Sequence, residues 1–179
     1  MGSQYDFMGG RNVKMDVFDC IKSRHSVRSY SEQQVEESII KELIHAAICA
    51  PSGKNGQPWR FKVVTDKALI NAISDLSTYG KWMRTAPCFI MVYLDKESSY
   101  DYIKDMQSCG AAIQNLLLCA NSLGLSACWV GEILVKSNEI GSLLDIDNEK
   151  YELAALLTVG YKAGRSINAG RNSIEKFML

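Results

Sequence analysis

The sequence predicts an α+β domain in which helices alternate with short apolar strands. Its 179 residues, 47% of them hydrophobic, can enclose one core of moderate size. The hydrophobic period switches repeatedly between that of a helix and that of a strand. Long linkers, low-complexity tracts and internal repeats are absent from the sequence. We therefore expect a single domain over residues 15–179, preceded by a flexible leader at residues 1–14.

The first two predicted helices precede the strands. One is expected over residues 15–23, and a second carries apolar residues at helical spacing from Ile39 to Ile48. Ser31 and Gln34 resemble a capping box ahead of this second helix, and Pro51 would end it.

In the middle of the chain, the residue pattern predicts two strands separated by a helix. Phe61 and Val63 indicate a short strand, and Asp66 is expected to cap a helix that runs to about residue 76. Residues 87–94 form a continuous apolar run of the length of a buried strand.

The second half begins with the most hydrophobic helix, expected over residues 104–123 and ended by Gly124 in a left-handed conformation. Because this helix is apolar on nearly every side, we expect it to be enclosed, with help from a second subunit. A strand over residues 126–131, a helix capped by Ser137 and a strand over residues 153–159 follow.

The polar tail after residue 160 ends in an apolar cluster of Ile174, Phe177 and Met178. This cluster predicts that the tail docks on the protein.

Composition limits the classes of function. Lysine plus arginine (20) equals aspartate plus glutamate (20), so no general attraction to nucleic acid or to an anionic membrane is expected. No apolar stretch has the length of a membrane span. The six cysteines form no Cys-x-x-Cys pair and fall mostly in apolar stretches, which favours core residues in a reducing cytoplasm. The two histidines have no carboxylate or thiolate at ligand spacing, so a metal site is not expected.

Two segments carry the candidate chemistry. The first joins Arg24, His25, Ser26 and Arg28, and guanidinium groups bind phosphate through paired, charge-assisted hydrogen bonds. Such a cluster can also be a solvated helix end, which is the better interpretation when it stands alone.

The second segment runs from Pro51 through Ser52 and Gly53 to the amides Asn55 and Gln57, followed by a tryptophan. Turn residues explain its start, but paired amide donors and acceptors also suit a polar heterocycle or a polyol. Phosphate, polyol and heterocycle together predict flavin mononucleotide (FMN) as the cofactor.

With these segments the chain resembles the shorter form of the nitroreductase family of FMN-dependent enzymes, from about Val17 to about Phe177. The resemblance implies a three-layer α/β/α fold with a mostly antiparallel central sheet, in an intertwined homodimer. The matching motifs occur in the family's order: Arg24-His25-Ser26-Val27-Arg28, Ala50-Pro51-Ser52, Gln57-Pro58-Trp59, Ala86-Pro87, Leu123-Gly124-Leu125, Cys128-Trp129-Val130-Gly131, Val159-Gly160-Tyr161 and Gly170-Arg171.

The resemblance also implies roles for residues. Arg24 and Ser26, with His25 beside them, match contacts to the FMN phosphate, and Arg28 matches a cation at the pyrimidine side of the ring. Arg171 matches a late phosphate contact. The lysine that many relatives place shortly before this arginine has no match here, so Lys162 or Arg165 could complete the clamp beside Arg171. 

Other matched positions lie along the flavin ring. Pro51, Ser52 and Gly53 match a turn from the other subunit. The amides of Asn55 and Gln57 match ribityl and ring contacts. The main chain of Trp129, Val130 and Gly131 matches the stretch near flavin N5. The FMN sites are thus expected at the interface of a homodimer.

The implied activity is reduction of a small-molecule electron acceptor, such as a nitroaromatic or a quinone, with NADH or NADPH as transient co-substrate. The chain lacks a Gly-x-Gly-x-x-Gly fingerprint, which favours docking of the dinucleotide beside the flavin. Alternatives are an FMN carrier or sensor with little turnover, and a specialised reductive dehalogenase or flavin-modifying enzyme. No catalytic side chain is predicted, because hydride passes through flavin N5.

Overall fold

Four strands in the described part of the chain form one antiparallel sheet in the order β1-β2-β4-β3. The computed structural model describes residues 15–179, so the predicted leader at residues 1–14 lies outside the described residues. All four strands confirm predicted ones. Their bounds are β1, Trp59–Val64; β2, Cys88–Asp95; β3, Ser126–Val130; and β4, Tyr151–Gly160.

Six α-helices occur within residues 15–179. Their bounds are α1, Val17–Ser23; α2, Glu37–Ile48; α3, Lys67–Asp75; α4, Gly80–Met83; α5, Tyr102–Ser122; and α6, Ser137–Leu144. Short 3-10 turns cover Gly53–Asn55, Glu132–Lys136 and Ile174–Phe177.

The sheet is the middle of three layers. Every residue of β2 is buried, and its side chains alternate between two cores because successive residues of a strand point to opposite faces. Ile90 and Val92 pack with α2 and α5, whereas Phe89 and Met91 pack with α3 and α6. This arrangement confirms the expected three-layer α+β fold.

Helix α5 ends as expected. Leu123 occupies the C-cap, and Gly124 follows with φ of +76°, a conformation that glycine adopts without steric cost. Ala112 and Leu116 are fully buried against α2 and the sheet, but Cys119 is only half-buried. One stripe of the helix therefore stays partly open in the single chain.

The predicted capping box is wrong. Helix α2 begins after Glu36, whose side chain makes no capping hydrogen bond, and the Gln34 side chain instead donates to the Glu32 carbonyl at 3.1 Å. The Ser31 amide donates to the Tyr161 carbonyl at 2.8 Å. This long-range pairing keeps the chain extended at Ser31, so the helix starts later.

The predicted cap at Ser137 is also wrong, because Ser137 is already the first residue of α6. Its amide donates to the Leu134 carbonyl of the preceding 3-10 turn, so no side-chain cap is required there. The cap at Asp66 is confirmed, since its carboxylate accepts a hydrogen bond from the Leu69 amide at 2.9 Å.

Both ends of the described chain keep apolar side chains exposed. On α1, Val17 is 72% exposed and Phe18 is 65% exposed. The expectation that the tail docks fails for its apolar cluster, since Ile174, Phe177 and Met178 remain exposed in the single chain. Ile174 and Phe177 lie in a short 3-10 turn and Met178 follows it, and none of the three is buried by the described residues.

The cysteines behave mainly as small core residues. Cys20, Cys88, Cys109 and Cys128 are buried, and all six in the chain are free thiols. Burial raises the pKa of the Cys88 thiol to about 12. Buried thiols of this kind are unreactive.

Candidate functional site

The first predicted segment, residues 24–28, lies against the free edge of β3. Ser26 forms an isolated parallel bridge with Ala127, and the Val27 amide donates to the Ala127 carbonyl at 3.2 Å. Below the segment, the buried Tyr30 hydroxyl lies 2.8 Å from the Val27 carbonyl and 2.7 Å from the Thr158 hydroxyl. These bonds fix the segment to the sheet.

A crevice of about 130 Å³ lies beside this segment. Arg24, His25, Ser126 and Lys162 line it, and no carboxylate is among its lining residues. Within residues 15–179, neither Arg24 nor Lys162 forms a salt bridge. We call this crevice with residues 24–28 the anion corner, because its cations have no negative partner on the described chain.

His25 connects the anion corner to the tail. Its Nδ1 lies 2.9 Å from the Ser23 carbonyl and its Nε2 lies 2.7 Å from the Ser166 hydroxyl. A carbonyl oxygen only accepts, so Nδ1 donates its proton to Ser23. The Asn168 amide reaches the Lys22 carbonyl at 3.5 Å.

Arg171 is exposed at the end of this stretch of tail, and its guanidinium donates to the Gly170 carbonyl at 2.7 Å. The tail therefore returns to the anion corner at residue 166, whereas Arg171 itself is not among the residues that line the crevice.

Arg28 and the end of β3 both lie beside residues 77–83, which include helix α4. The Arg28 guanidinium carbon lies 5.9 Å from the centre of the Trp82 ring. On β3, Trp129 is 42% exposed, Val130 is buried and Gly131 is exposed. The expected N5 stretch therefore ends beside the segment that holds Trp82.

Glu132 attaches that segment to β3. Its carboxylate accepts hydrogen bonds from the Ser77 hydroxyl at 2.6 Å and from the Thr78 amide at 3.3 Å. These bonds, chiefly that from Ser77, lower the pKa of Glu132. Sequence reasoning missed Trp82 and Glu132, because nothing local in the sequence marks this contact.

The second predicted segment, residues 51–57, is a loop that we call the amide loop. Its Ser52 hydroxyl accepts a hydrogen bond from the Gln57 amide at 3.0 Å. Lys54, Asn55 and Gln57 all have positive φ, between 48° and 55°. Non-glycine residues rarely adopt this left-handed conformation, and they cluster at functional sites when they do.

Side chains of the amide loop face outward. Pro51, Asn55 and Gln57 are exposed, and Ser52 and Gly53 are half-buried. The Gln57 side-chain amide donates to the Asn55 carbonyl at 3.3 Å, which keeps its oxygen available. The exposed amides can therefore hydrogen-bond a polar ligand from outside the chain.

The structure does not bring the two predicted segments together. Ser26 is in register with Val159 of β4 through its pairing with Ala127. Trp59, which follows the amide loop, is in register with Glu152 of β4 through β2. Across the sheet, the two segments are four interstrand spacings apart, about 19 Å. Along the strands, they are seven residues apart, about 24 Å. The segments thus lie about 30 Å apart, at diagonally opposite corners of the sheet.

No helix within the described residues is both long enough and apolar enough to cross a membrane. Residues 15–179 also contain no cluster of histidine, cysteine, aspartate and glutamate suited to a metal ion.

Comparison with known proteins identifies the family of this chain. The sequence model of the Nitroreductase family matches residues 21–79 and 74–161. A solved structure named as a nitroreductase in complex with FMN, from Desulfovibrio desulfuricans, superposes with a TM-score of 0.88 at 33% identity, covering 93% of this chain and 97% of that one.

Two curated relatives have related names. A protein named as an NADH dehydrogenase/NAD(P)H nitroreductase from Methanothermobacter thermautotrophicus is 40% identical over 124 residues, which are 68% of this chain and 64% of that protein. An FMN reductase [NAD(P)H] from Bacillus subtilis is 25% identical over 87% of this chain and 70% of its own length. The chain thus spans just under two thirds of the first of these relatives. On the match to the family model and the likeness of fold, this chain belongs to the nitroreductase family.

Proposed function

We propose that the protein is an FMN-dependent oxidoreductase that uses NADH or NADPH to reduce a small electrophilic acceptor. One observation carries the proposal: a corner with unpaired cations and a loop of exposed amides lie at opposite corners of one sheet. They suit the two chemically different ends of FMN only if two copies of the chain pair. The site is then shared between subunits.

The donor set at the anion corner fits the FMN phosphate. Arg24 supplies charge and paired donors, the Ser26 hydroxyl adds a neutral donor, and His25 borders the crevice. Lys162 lines the same crevice and is a second cation for the phosphate. Arg171 completes the set through the tail, which already contacts His25 at residue 166.

The remaining predicted residues suit the ring. The Arg28 charge favours negative charge on the pyrimidine side, which stabilises the reduced cofactor. The main chain of Trp129, Val130 and Gly131 would hold the ring on the side of N5. Bound FMN supplies the hydride chemistry, taking a hydride from NAD(P)H and passing it to the acceptor in a second half-reaction.

From the second subunit, the amide loop contributes the other wall. Pro51, Ser52 and Gly53 would lie along the ring of bound FMN, and the amides of Asn55 and Gln57 would hydrogen-bond its polar edge and the ribityl chain. Both amide side chains are exposed, and the Gln57 side-chain oxygen accepts no hydrogen bond within the described residues.

Exposed apolar side chains support the homodimer. Val17, Phe18 and Ile21 on α1 and the cluster in the tail are all exposed within the described residues. Burial of such side chains drives association. A dimer that covers α1 and the tail also closes the partly open stripe of α5.

The acceptor chemistry needs no nucleophile from the protein. A nitroaromatic, quinone or activated enone takes a hydride directly, with a proton from water. We expect the dinucleotide and the acceptor to enter the site in turn, and this order gives ping-pong kinetics.

The test is titration of the purified protein with FMN, followed by NAD(P)H oxidation with and without a nitroaromatic or a quinone. We expect a yellow complex with one FMN per chain and oxidation that the acceptor stimulates. A protein that stays colourless after incubation with FMN contradicts the proposal.

The main alternative is a flavin carrier or sensor on the same scaffold. It would bind FMN with the same affinity but show slow reduction and no stimulation by acceptors, so the second part of the experiment separates the two functions. The specialised dehalogenase or flavin-modifying alternative has no side chain in the described site that favours it.

A further inference from the structure

We propose that Tyr100, held by the buried carboxylate of Asp105, is a positioning residue that keeps the amide loop in the shape that binds FMN. This inference rests on the function proposed above. Neither residue belongs to the two predicted segments, and both lie at the N-terminal end of α5.

The Tyr100 ring packs on the loop at Gly53. A Cβ atom placed on Gly53 would collide with the Tyr100 hydroxyl and would lie 2.7 Å from its Cζ. The Lys54 ammonium lies 4.7 Å from the centre of the same ring, within cation–π range. The ring therefore contacts two successive residues of the loop, and glycine at position 53 makes room for it.

Asp105 fixes the main chain that carries this ring. The side chain is 1% exposed, and its Oδ2 accepts hydrogen bonds from the Tyr100 amide at 2.9 Å, the Ser99 hydroxyl at 2.8 Å and the Asp101 amide at 3.2 Å. Hydrogen bonds to a charged acceptor are strong, and a buried one resists displacement. The ring thus projects from a rigid support.

The amide loop needs such a support. Lys54, Asn55 and Gln57 hold left-handed conformations that are strained for residues with a Cβ. The hydrogen bond from the Gln57 amide to Ser52 closes the loop from within, and the Tyr100 ring packs on it from outside.

A supported loop already has the conformation that binds the ligand, so it loses less conformational freedom on binding. Tyr100 therefore acts on the cofactor through Gly53 and its neighbours, without having to touch it. In the proposed dimer this effect crosses the interface, because the loop serves the cofactor held by the partner's anion corner.

The experiment measures FMN affinity and the visible absorption and circular dichroism of bound FMN for Tyr100→Ala and Tyr100→Phe. We expect Tyr100→Ala to weaken FMN binding roughly tenfold and to change the flavin spectrum, because the loop loses its support. Tyr100→Phe keeps the ring on Gly53, and we expect it to restore both affinity and spectrum. The hydroxyl makes no hydrogen bond within the described residues, so its loss matters little.

A double-mutant cycle separates support from direct contact. Gly53→Ala forces the new methyl group against the Tyr100 ring and should weaken binding, but it should do so much less when Tyr100→Ala has already made room. Equal effects of Gly53→Ala in both backgrounds would overturn the proposal. Asp105→Asn should give a smaller loss than Tyr100→Ala in the same direction.

Two controls keep the failures distinct. If the unmodified protein does not bind FMN, the proposed function fails. If it binds FMN and Tyr100→Ala binds equally well with an unchanged spectrum, only the role of Tyr100 fails. Should Tyr100→Ala not fold as a dimer, Gly53→Ala alone tests the same contact: we expect weaker FMN binding and a changed flavin spectrum, and equal affinities for the unmodified protein and Gly53→Ala overturn the proposal.

Discussion

The anion corner and the amide loop are held in place by different physical means. The anion corner is attached to a sheet edge by the pairing of Ser26 with Ala127, and its cations are the groups that we propose to bind phosphate. The amide loop has no strand to pair with and depends on the Ser52 hydroxyl, the Tyr100 ring and strained main chain.

The contrast shows how one ligand can be recognised in two ways. In the proposed site, charge at the anion corner would supply affinity that depends on salt and tolerates small shifts of the backbone. Neutral hydrogen bonds at the amide loop would supply selectivity, which requires the loop to have its binding conformation beforehand. Mutations at the two corners should therefore give different signatures.

The largest effect is expected at the anion corner. Arg24→Ala removes a charged partner of the phosphate and should weaken FMN binding by about 1.5–3 kcal/mol. Titration at two salt concentrations checks this, because the variant should also depend less on salt. Lys41→Ala removes one exposed positive charge from α2, away from both corners, and should bind FMN normally. Undiminished affinity of Arg24→Ala would contradict the phosphate role.

The support of the anion corner is expected to matter for stability. Tyr30→Phe removes the hydroxyl between Val27 and Thr158 and should lower the free energy of unfolding by about 1–2 kcal/mol. Chemical denaturation measures this loss. Tyr161→Phe is the matched control, since the Tyr161 hydroxyl makes no hydrogen bond within the described residues. If both variants are equally stable, the hydroxyl of Tyr30 does not hold the segment.

Alkaline pH tests the same hydroxyl. Burial raises the pKa of Tyr30 well above its value in the unfolded chain, so the folded state keeps its proton where the unfolded state has lost it. This contribution to stability is complete below pH 10 and is lost as pH rises further. Tyr30 alone should contribute a loss of about 1 kcal/mol between pH 10 and pH 11.

In Tyr30→Phe this contribution is absent, so stability should fall less steeply with pH. Tyr93 and Cys88, whose pKa values burial raises to about 12, account for part of the remaining slope. Identical slopes in the two proteins would exclude a buried, protonated Tyr30.

The smallest effect is expected at the amide loop. Ser52→Ala removes the acceptor for the Gln57 amide and should weaken FMN binding by about 1 kcal/mol, independently of salt. Ser52→Thr keeps the hydroxyl and should bind nearly normally. The unfolding midpoint should hardly change in either variant, because the loop is exposed. A salt-dependent loss would mean that the loop also acts through charge.

Much of the fold follows from patterns along the sequence. The apolar run in β2, the cap at Asp66 and the left-handed Gly124 are local signals, and the structure has all three. The errors have a long-range cause. Nothing near Ser31 reveals that its amide pairs with Tyr161, and this pairing displaces the start of α2.

The site divides in the same way. Motifs identify Arg24 and the amide loop, because cations and turn residues are visible in the sequence. The supports are not visible, since Tyr100 reaches Gly53 from a distant part of the chain and Asp105 acts only through Tyr100. The position of the two segments at opposite corners also needed the strand order, which no local pattern specifies.

The diagonal separation of the two corners has a genetic consequence for the proposed dimer. Consider one subunit damaged only in the anion corner and another damaged only in the amide loop. When they associate, one of the two pockets inherits both defects, and the other is assembled entirely from intact parts. Co-expressing two inactive alleles should thus rescue part of the activity that neither allele has alone.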